Sequence, residues 1–204
     1  MKIAIIGHGN VGGTLAKVWA KAGHEIMIGL RHSNDDKVTL LEQNFPNISL
    51  NVIQEAVAQA EVILVATPAH VTVDLAKEWQ QMHGKVIIDA TNAIGKTPEP
   101  YSTGYHAFVE ICQAKVVKAF NTTGFENMAD PKYGDTTADM FVAGDSSEAK
   151  KVATQLAHDA GFQTVYDFGG GDKVKALEHF AFAWINLAIM QGNGRNMAFK
   201  ILKR

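Results

Sequence analysis

The feature that most constrains this chain stands at its start, where KIAIIG (2–7) runs directly into HGNVGG (8–13). An apolar run of strand length meets a glycine turn, and a helical pattern follows through Ala22. Gly7, Gly9 and Gly12 fall in the order GxGxxG. Between a strand and a helix these glycines give a tight turn, a close approach to a pyrophosphate and close helix–strand packing. The first amides of the helix then face the phosphates. Small residues also serve ordinary turns, so the spacing alone is a weak signal. Here the next strand, HEIMIGL (24–30), arrives at the right distance, and the reading is a dinucleotide loop.

The strand–helix alternation continues. SLNVI (49–53) gives a weak third strand, and EVILVATP (61–68) and KVIIDATN (85–92) give strong ones. KVVKAFN (115–121), DMFVAGD (139–145) and TVYDFG (164–169) complete the series. Continuous apolar runs separated by helices predict an α/β, Rossmann-type doubly wound fold with a mainly parallel sheet covered on both faces. A short helix is expected around Val38–Asn44. A longer one follows Asp145, capped by Asp145, Ser146 or Ser147, with Ala149, Val152, Ala153, Leu156 and Ala160 on one face. Most of 93–108, with two prolines and two glycines, reads as loop. A helix over 173–190 and a shorter one after 192–194 are expected to form a C-terminal appendage. The division is a dinucleotide-binding domain over 1–168 and a helical segment over 169–204 that completes an acceptor site and a dimer contact.

The chemistry of the chain excludes several classes. With 47% apolar and 20% charged residues, 204 residues suit one globular core. A net charge of -2 offers nothing to a polyanion, so no nucleic-acid or membrane partner is expected. Cys112 is the only cysteine, which rules out an intrachain disulfide and points to a reducing, cytoplasmic setting. MKIAIIG lacks the apolar core and cleavage site of a signal peptide, and FAFAWINLAIM (180–190) is too short to span a bilayer. No HExxH pair or thiolate cluster occurs, so no metal is expected. Cys112, in VEICQA, reads as a small core residue. His70 and His106 are read either as ligand contacts or as satisfied structural histidines.

The end of the second strand, IGLRHSND (28–35), decides the cofactor. NAD-binding chains carry an acid ~20 residues past the glycines to grip the ribose hydroxyls. Here Arg31 stands 24 positions past Gly7, followed by His32 and Ser33, before any acid. A guanidinium meets a 2′-phosphate with charge-assisted bonds where a carboxylate would repel it. His32 and Ser33 add donors, and NADP(H) is the expected cofactor; a solvated surface arginine is the competing reading. ATPAH (66–70) and ATNA (90–93) also end strands, where ligands of open parallel sheets lie. Pro68 and Asn92 are placed there to stiffen or hydrogen-bond the cofactor edge, with Ala93 beside Asn92.

With these motifs in hand, the chain resembles the coenzyme F420-dependent NADP reductase family and is similar to the NADPH domain of six-transmembrane-type metalloreductases. The likeness rests on GHGNVGG with GLRH, on VILVATP, on VVKAFNTTGFENMADP (116–131) and on WINLAIMQGNGRNMAFKIL (184–202). The resemblance implies a Rossmann domain, NADP(H), hydride transfer and a homodimer. It carries His8, Gly9, Asn10 and Val11 onto the pyrophosphate loop, and Leu30 and Arg31 onto the pair that reads the 2′-phosphate. It carries Ala66, Thr67, Pro68 and His70 onto the cofactor's edge. Two departures stand out: Leu30 replaces a frequent serine or threonine, and PYSTGY (100–105) does not follow the family pattern.

Hydride transfer between a nicotinamide and a deazaflavin or flavin is carried by the two cofactors, the protein supplying orientation and exclusion of water. No catalytic side chain is therefore assigned, and an acceptor of this small-molecule class is expected. It should lie over the nicotinamide, near Asn92 and Asn121 and the GNGR segment with Asn193, Gly194 and Arg195. Arg195 and Lys96 are the cations available to an anionic acceptor. The alternative is a non-enzymatic NADPH-binding sensor or regulatory module.

Overall fold

The computed structural model describes residues 1–31, 36–80 and 82–204. The elements are β1 (Lys2–Ile6), α1 (Asn10–Lys21), β2 (Glu25–Leu30), α2 (Asp36–Asn44), β3 (Ile48–Val52), α3 (Ile53–Gln59), β4 (Val62–Val65), α4 (Thr72–Glu78) and β5 (Val86–Asp89). They continue as α5 (Gly104–Cys112), β6 (Lys115–Lys118), α6 (Phe125–Ala129), β7 (Lys132–Tyr133), β8 (Thr136–Thr137), β9 (Asp139–Ala143), α7 (Ser147–Asp159), β10 (Thr164–Gly169) and α8 (Val174–Ile185). A turn of π-helix over Asn186–Met190 extends α8.

Eight strands form one sheet in the order β10-β9-β6-β5-β4-β1-β2-β3. Strands β1 to β6 are mutually parallel, which is the doubly wound arrangement that the alternation predicts. β9 joins antiparallel at Lys118↔Ala143, and β10 runs parallel to β9. β7 and β8 make a separate small hairpin that the sequence pattern does not announce.

Alternation along the buried strands feeds two apolar layers. Ile3 and Ile5 of β1 join α1 and α7 on one face, where Trp19 meets Phe120 edge-on at 5.4 Å. Ala4 and Ile6 face the layer of α3, α4, α5 and α8, where Trp79 stacks on Phe108 at 5.9 Å. Ser146 caps α7 by accepting from the Ala149 amide at 3.1 Å. Val174 and Leu177 of α8 belong to the second layer, so this helix is built into the core of the sheet.

Most of 93–108 is loop, as its prolines and glycines predict, until Thr103 caps α5 and residues 104–108 turn helical. One expectation is corrected. The helix expected after 192–194 does not form. Its backbone groups are taken by side chains instead: Met197 O accepts from Trp184 Nε1 at 2.7 Å and from Asn127 Nδ2 at 2.8 Å. Ile201 N donates to Asp139 Oδ2 at 2.7 Å, and Phe199 O accepts from Asp139 N at 3.0 Å. With those partners made, the chain is tied to the start of β9.

Candidate cofactor site

The glycines of the loop separate into two kinds. Gly7 has φ +97°, and a Cβ there would stand 2.6 Å from Ala66 O. At Gly12 a Cβ would stand 1.9 Å from Gly7 O, so β1 and α1 approach as closely as they do only because both lack side chains. Gly9 differs, for a Cβ on it meets nothing within 4 Å. No fold contact requires a glycine there. Gly9 is also the N-cap of α1, no side chain caps the helix, and its first turn holds no acid. The positive end of the helix dipole is left open toward the carboxyl edge of the sheet.

Beside this loop a cavity of about 450 Å³ is lined by Gly7, His8, Gly29, Arg31, Thr67 and Pro68, with Ile53, Val71 and Leu75 as its apolar wall. Gly29 forms a close floor, since a Cβ there would come within 2.5 Å of Ile6 Cδ1. Arg31 follows directly on the last residue of β2 and is exposed. The hydroxyl of Thr67 is buried without a hydrogen-bond partner. Gly29, Ile53, Val71 and Leu75 were not legible as site residues. Pro68 ahead of AHVTVDL was the one available hint that Val71, in the turn before α4, and Leu75 of α4 face the cavity.

The other candidates fall as follows. Asn10 is exposed at the start of α1, and Val11 and Ala66 pack partly on the core. Leu30 is buried in the α1-side core, which explains why an apolar residue stands there, and it does not line the cavity that Gly29 and Arg31 line. His32 and Ser33 lie outside the described residues. His70 is exposed and does not line the cavity. His106 is engaged locally, its Nδ1 lying 2.7 Å from Thr103 Oγ1.

Asn92 and Asn121 meet across the ends of β5 and β6. Asn92 Nδ2 donates to Asn121 O at 2.9 Å and Asn121 Nδ2 to Asn92 Oδ1 at 3.0 Å. Ala93 N donates to Glu178 Oε2 at 3.0 Å. Asn193 and Gly194 close the end of the π-turn, donating to Leu187 O at 2.9 Å and Ala188 O at 3.0 Å.

Arg195 is bound to Glu126 through Nε and Nη2, and its guanidinium lies over the Phe125 and Trp184 rings at 5.1 and 5.5 Å. Burial pushes the Glu126 carboxyl up, but the Arg195 hydrogen bonds more than reverse this and hold it below the usual carboxylate range. The positive charge expected to be open to an acceptor is thus committed to a protein carboxylate. Lys96 is exposed.

Cys112 is fully buried and donates to Ala76 O at 3.4 Å. Burial pushes its thiol up to about 12, which suits a packing residue and not a nucleophile. Among the described residues no cluster of three or more His, Cys, Asp or Glu side chains could hold a metal, and no helix is long and apolar enough to cross a membrane.

What sequence reasoning missed is a buried ionic cluster beneath Asn92. Lys118 Nζ donates to Asp89 Oδ2 at 2.9 Å and also to Glu178 Oε1. Asp89 and Lys118 are wholly inaccessible and Glu178 nearly so.

Against this geometry, residues 2–93 match the family described as NADP oxidoreductase, coenzyme F420-dependent. The F420-dependent NADP reductase of Methanothermobacter marburgensis is 28% identical over 98% of both chains. Metalloreductase STEAP3 of Rattus norvegicus is also 28% identical, over 87% of this chain but 36% of its own length. A solved structure from Arthrobacter sp. FB24, described as a candidate F420-dependent NADP reductase, superposes over the whole of both chains with a TM-score of 0.80 and 28% identity. A reductive aminase from Aspergillus terreus shares the fold at a TM-score of 0.67 and 16% identity, over 94% of this chain and 62% of its own. The chain has a Rossmann fold, is similar along its whole length to F420-dependent NADP reductases, and falls among the oxidoreductases.

Proposed function

We propose that the chain binds NADP(H) along the carboxyl edge of its sheet and passes hydride between it and a ring acceptor of the deazaflavin or flavin class. The observation that carries the cofactor reading is Arg31. It is a cation placed one residue past β2 and lining a cavity that also takes in the glycine loop. The residues fit the dinucleotide on two further counts. Gly9 lacks a side chain where the fold has room for one, and the buried Thr67 hydroxyl lacks a partner.

Bound there, NADP(H) supplies or takes up the hydride. The chain's own work is to bind and to orient. Gly9 and the open α1 amides receive the pyrophosphate, Arg31 the 2′-phosphate, and the apolar wall of Ile53, Val71 and Leu75 the adenosine half. Asn92, Ala93 and Asn121 border the other half. Arg195, Asn193 and Gly194 act by fixing the segment that flanks the acceptor side, since their polar groups already have protein partners. The deazaflavin class follows from the likeness to the Methanothermobacter and Arthrobacter proteins.

Arg31→Ala tests the reading by titration calorimetry. NADPH affinity should fall roughly ten- to a hundred-fold, the value of one or two charge-assisted bonds, while NADH affinity stays within twofold. Equal losses for both would remove the 2′-phosphate role.

A homodimer completes the proposal. Leu187, Ile189 and Met190 of the π-turn, with Phe182 of α8, are 38–59% exposed on one C-terminal stretch. An apolar cluster of this kind suits an interface. Sedimentation should give twice the chain mass, and Ile189→Lys with Met190→Lys should give the monomer. A monomeric wild type would reject the dimer.

A further inference from the structure

The ionic cluster at the ends of β5 and β6 has a geometry that ordinary stabilisation does not explain. Asp89 and Lys118 are register partners on adjacent parallel strands, each the last residue of its strand. Glu178 reaches them from α8. All four carboxylate oxygens have a donor. Asp89 Oδ2 and Glu178 Oε1 take the Lys118 ammonium, Asp89 Oδ1 takes Thr91 N at 2.9 Å, and Glu178 Oε2 takes Ala93 N at 3.0 Å. Buried ions are poor stabilisers compared with apolar packing, so a well-packed hydrophobic set would hold the strands equally well. What the ions do that apolar groups cannot is grip two backbone amides, those of Thr91 and Ala93. The residue between those amides is Asn92.

Asn92 in turn orients Asn121. Because Asn92 Nδ2 donates to the Asn121 carbonyl, its Oδ1 must be the acceptor for Asn121 Nδ2. This fixes the Asn121 amide the other way up, with Oδ1 free of its neighbour. That oxygen is buried, without a hydrogen-bond partner, on a residue only 5% exposed. A buried acceptor without a donor is unfavourable and calls for a ligand donor.

We infer that the Asn92–Asn121 pair recognises the carboxamide of a bound nicotinamide ring, and that Asp89, Lys118 and Glu178 are the positioning residues that hold the pair. The inference rests on the NADP(H) reading above. With the 2′-phosphate at Arg31 and the pyrophosphate at Gly9, a dinucleotide crossing the sheet edge extends toward β4 and β5. The carboxamide is the part of its far half that offers an N–H donor to Asn121 Oδ1.

Two probes separate this from the cofactor reading itself. NADPH spans both halves of the site, and 2′,5′-ADP occupies the adenosine half alone. Calorimetry on Asn121→Ala and Asn92→Ala should show NADPH binding weakened about tenfold, with 2′,5′-ADP binding changed less than twofold. Lys118→Met should show the same selectivity although it touches neither ligand, which a merely structural residue would not. Should Lys118→Met fail to fold, Glu178→Gln tests the same link through Ala93 N. Equal losses on both probes, or no loss on either, would overturn the inference. A wild type that binds 2′,5′-ADP and NADPH with equal affinity would overturn it too, leaving the Arg31 site standing. A wild type that binds neither would reject the NADP(H) reading, and this inference with it.

Discussion

Lys118→Met is expected to lower the melting temperature by about 10 °C. Methionine preserves the apolar stem and the volume, so the loss isolates the charge. Two carboxylates that are almost inaccessible to water, Asp89 and Glu178, would each lose the donor to one oxygen. Breaking a buried ionic set by removing one sign costs roughly 3–5 kcal/mol, because the remaining charges stay uncompensated. For a chain of this size each kcal/mol is worth about 2–4 °C. Location adds to the effect. Lys118 ends β6 at the single register point where the parallel part of the sheet meets the antiparallel β9. Glu178→Leu should cost less, since Lys118 keeps Asp89. The double variant Lys118→Met with Glu178→Leu should be less unstable than the sum of the two, because it removes charges of both signs. Thermal unfolding of the three proteins checks this, and a Lys118→Met variant melting with the wild type would show that the cluster is not buried as described.

That cluster also shows where reading the sequence reaches its limit. The first half of the fold was legible because β1, β2, β4 and β5 are nearly continuous apolar runs and the glycine loop has a mechanical reason, β3 with Ser49 and Asn51 being the weak one. Arg31 could be identified from spacing alone, since the end of β2 lies at a fixed distance from the loop. Lys118 could not. In KVVKAFN a lysine among apolar residues reads as an exposed strand position, and its partners are 29 positions earlier and 60 later. Nothing local connects them. Arg195 failed for the same reason: in GNGRNM it looks open to a ligand, but Glu126, 69 positions earlier, has taken its charge. The missing C-terminal helix is a third case. MAFKIL has adequate helical composition, but Trp184, Asn127 and Asp139 offer its backbone better partners. Local pattern determines an element only until a distant side chain competes for its peptide groups.

Gly12→Ala and Gly9→Ala, compared side by side, should separate what the fold needs from what the ligand needs. At Gly12 the added methyl would stand 1.9 Å from the Gly7 carbonyl oxygen and 3.0 Å from its carbon. These are backbone atoms, and Gly7 cannot retreat, being itself close against Ala66 O at a φ of +97°. The strain can be relieved only by moving α1 away from β1, which opens the layer around Leu15, Ala16 and Trp19. Overpacking against rigid atoms costs about 3 kcal/mol or more, and a melting temperature lower by about 6–12 °C is expected. NADPH binding should be lost with it, since the loop that receives the pyrophosphate is displaced. Gly9→Ala meets no protein atom within 4 Å and has a φ of -65°, open to any residue. It should melt with the wild type, yet bind NADPH at least tenfold more weakly, or ~1.4 kcal/mol, because its methyl stands where the pyrophosphate approaches. Wild-type affinity in Gly9→Ala would remove the ligand's claim on that position. Wild-type melting in Gly12→Ala would mean that β1 and α1 do not approach as closely as their glycines allow.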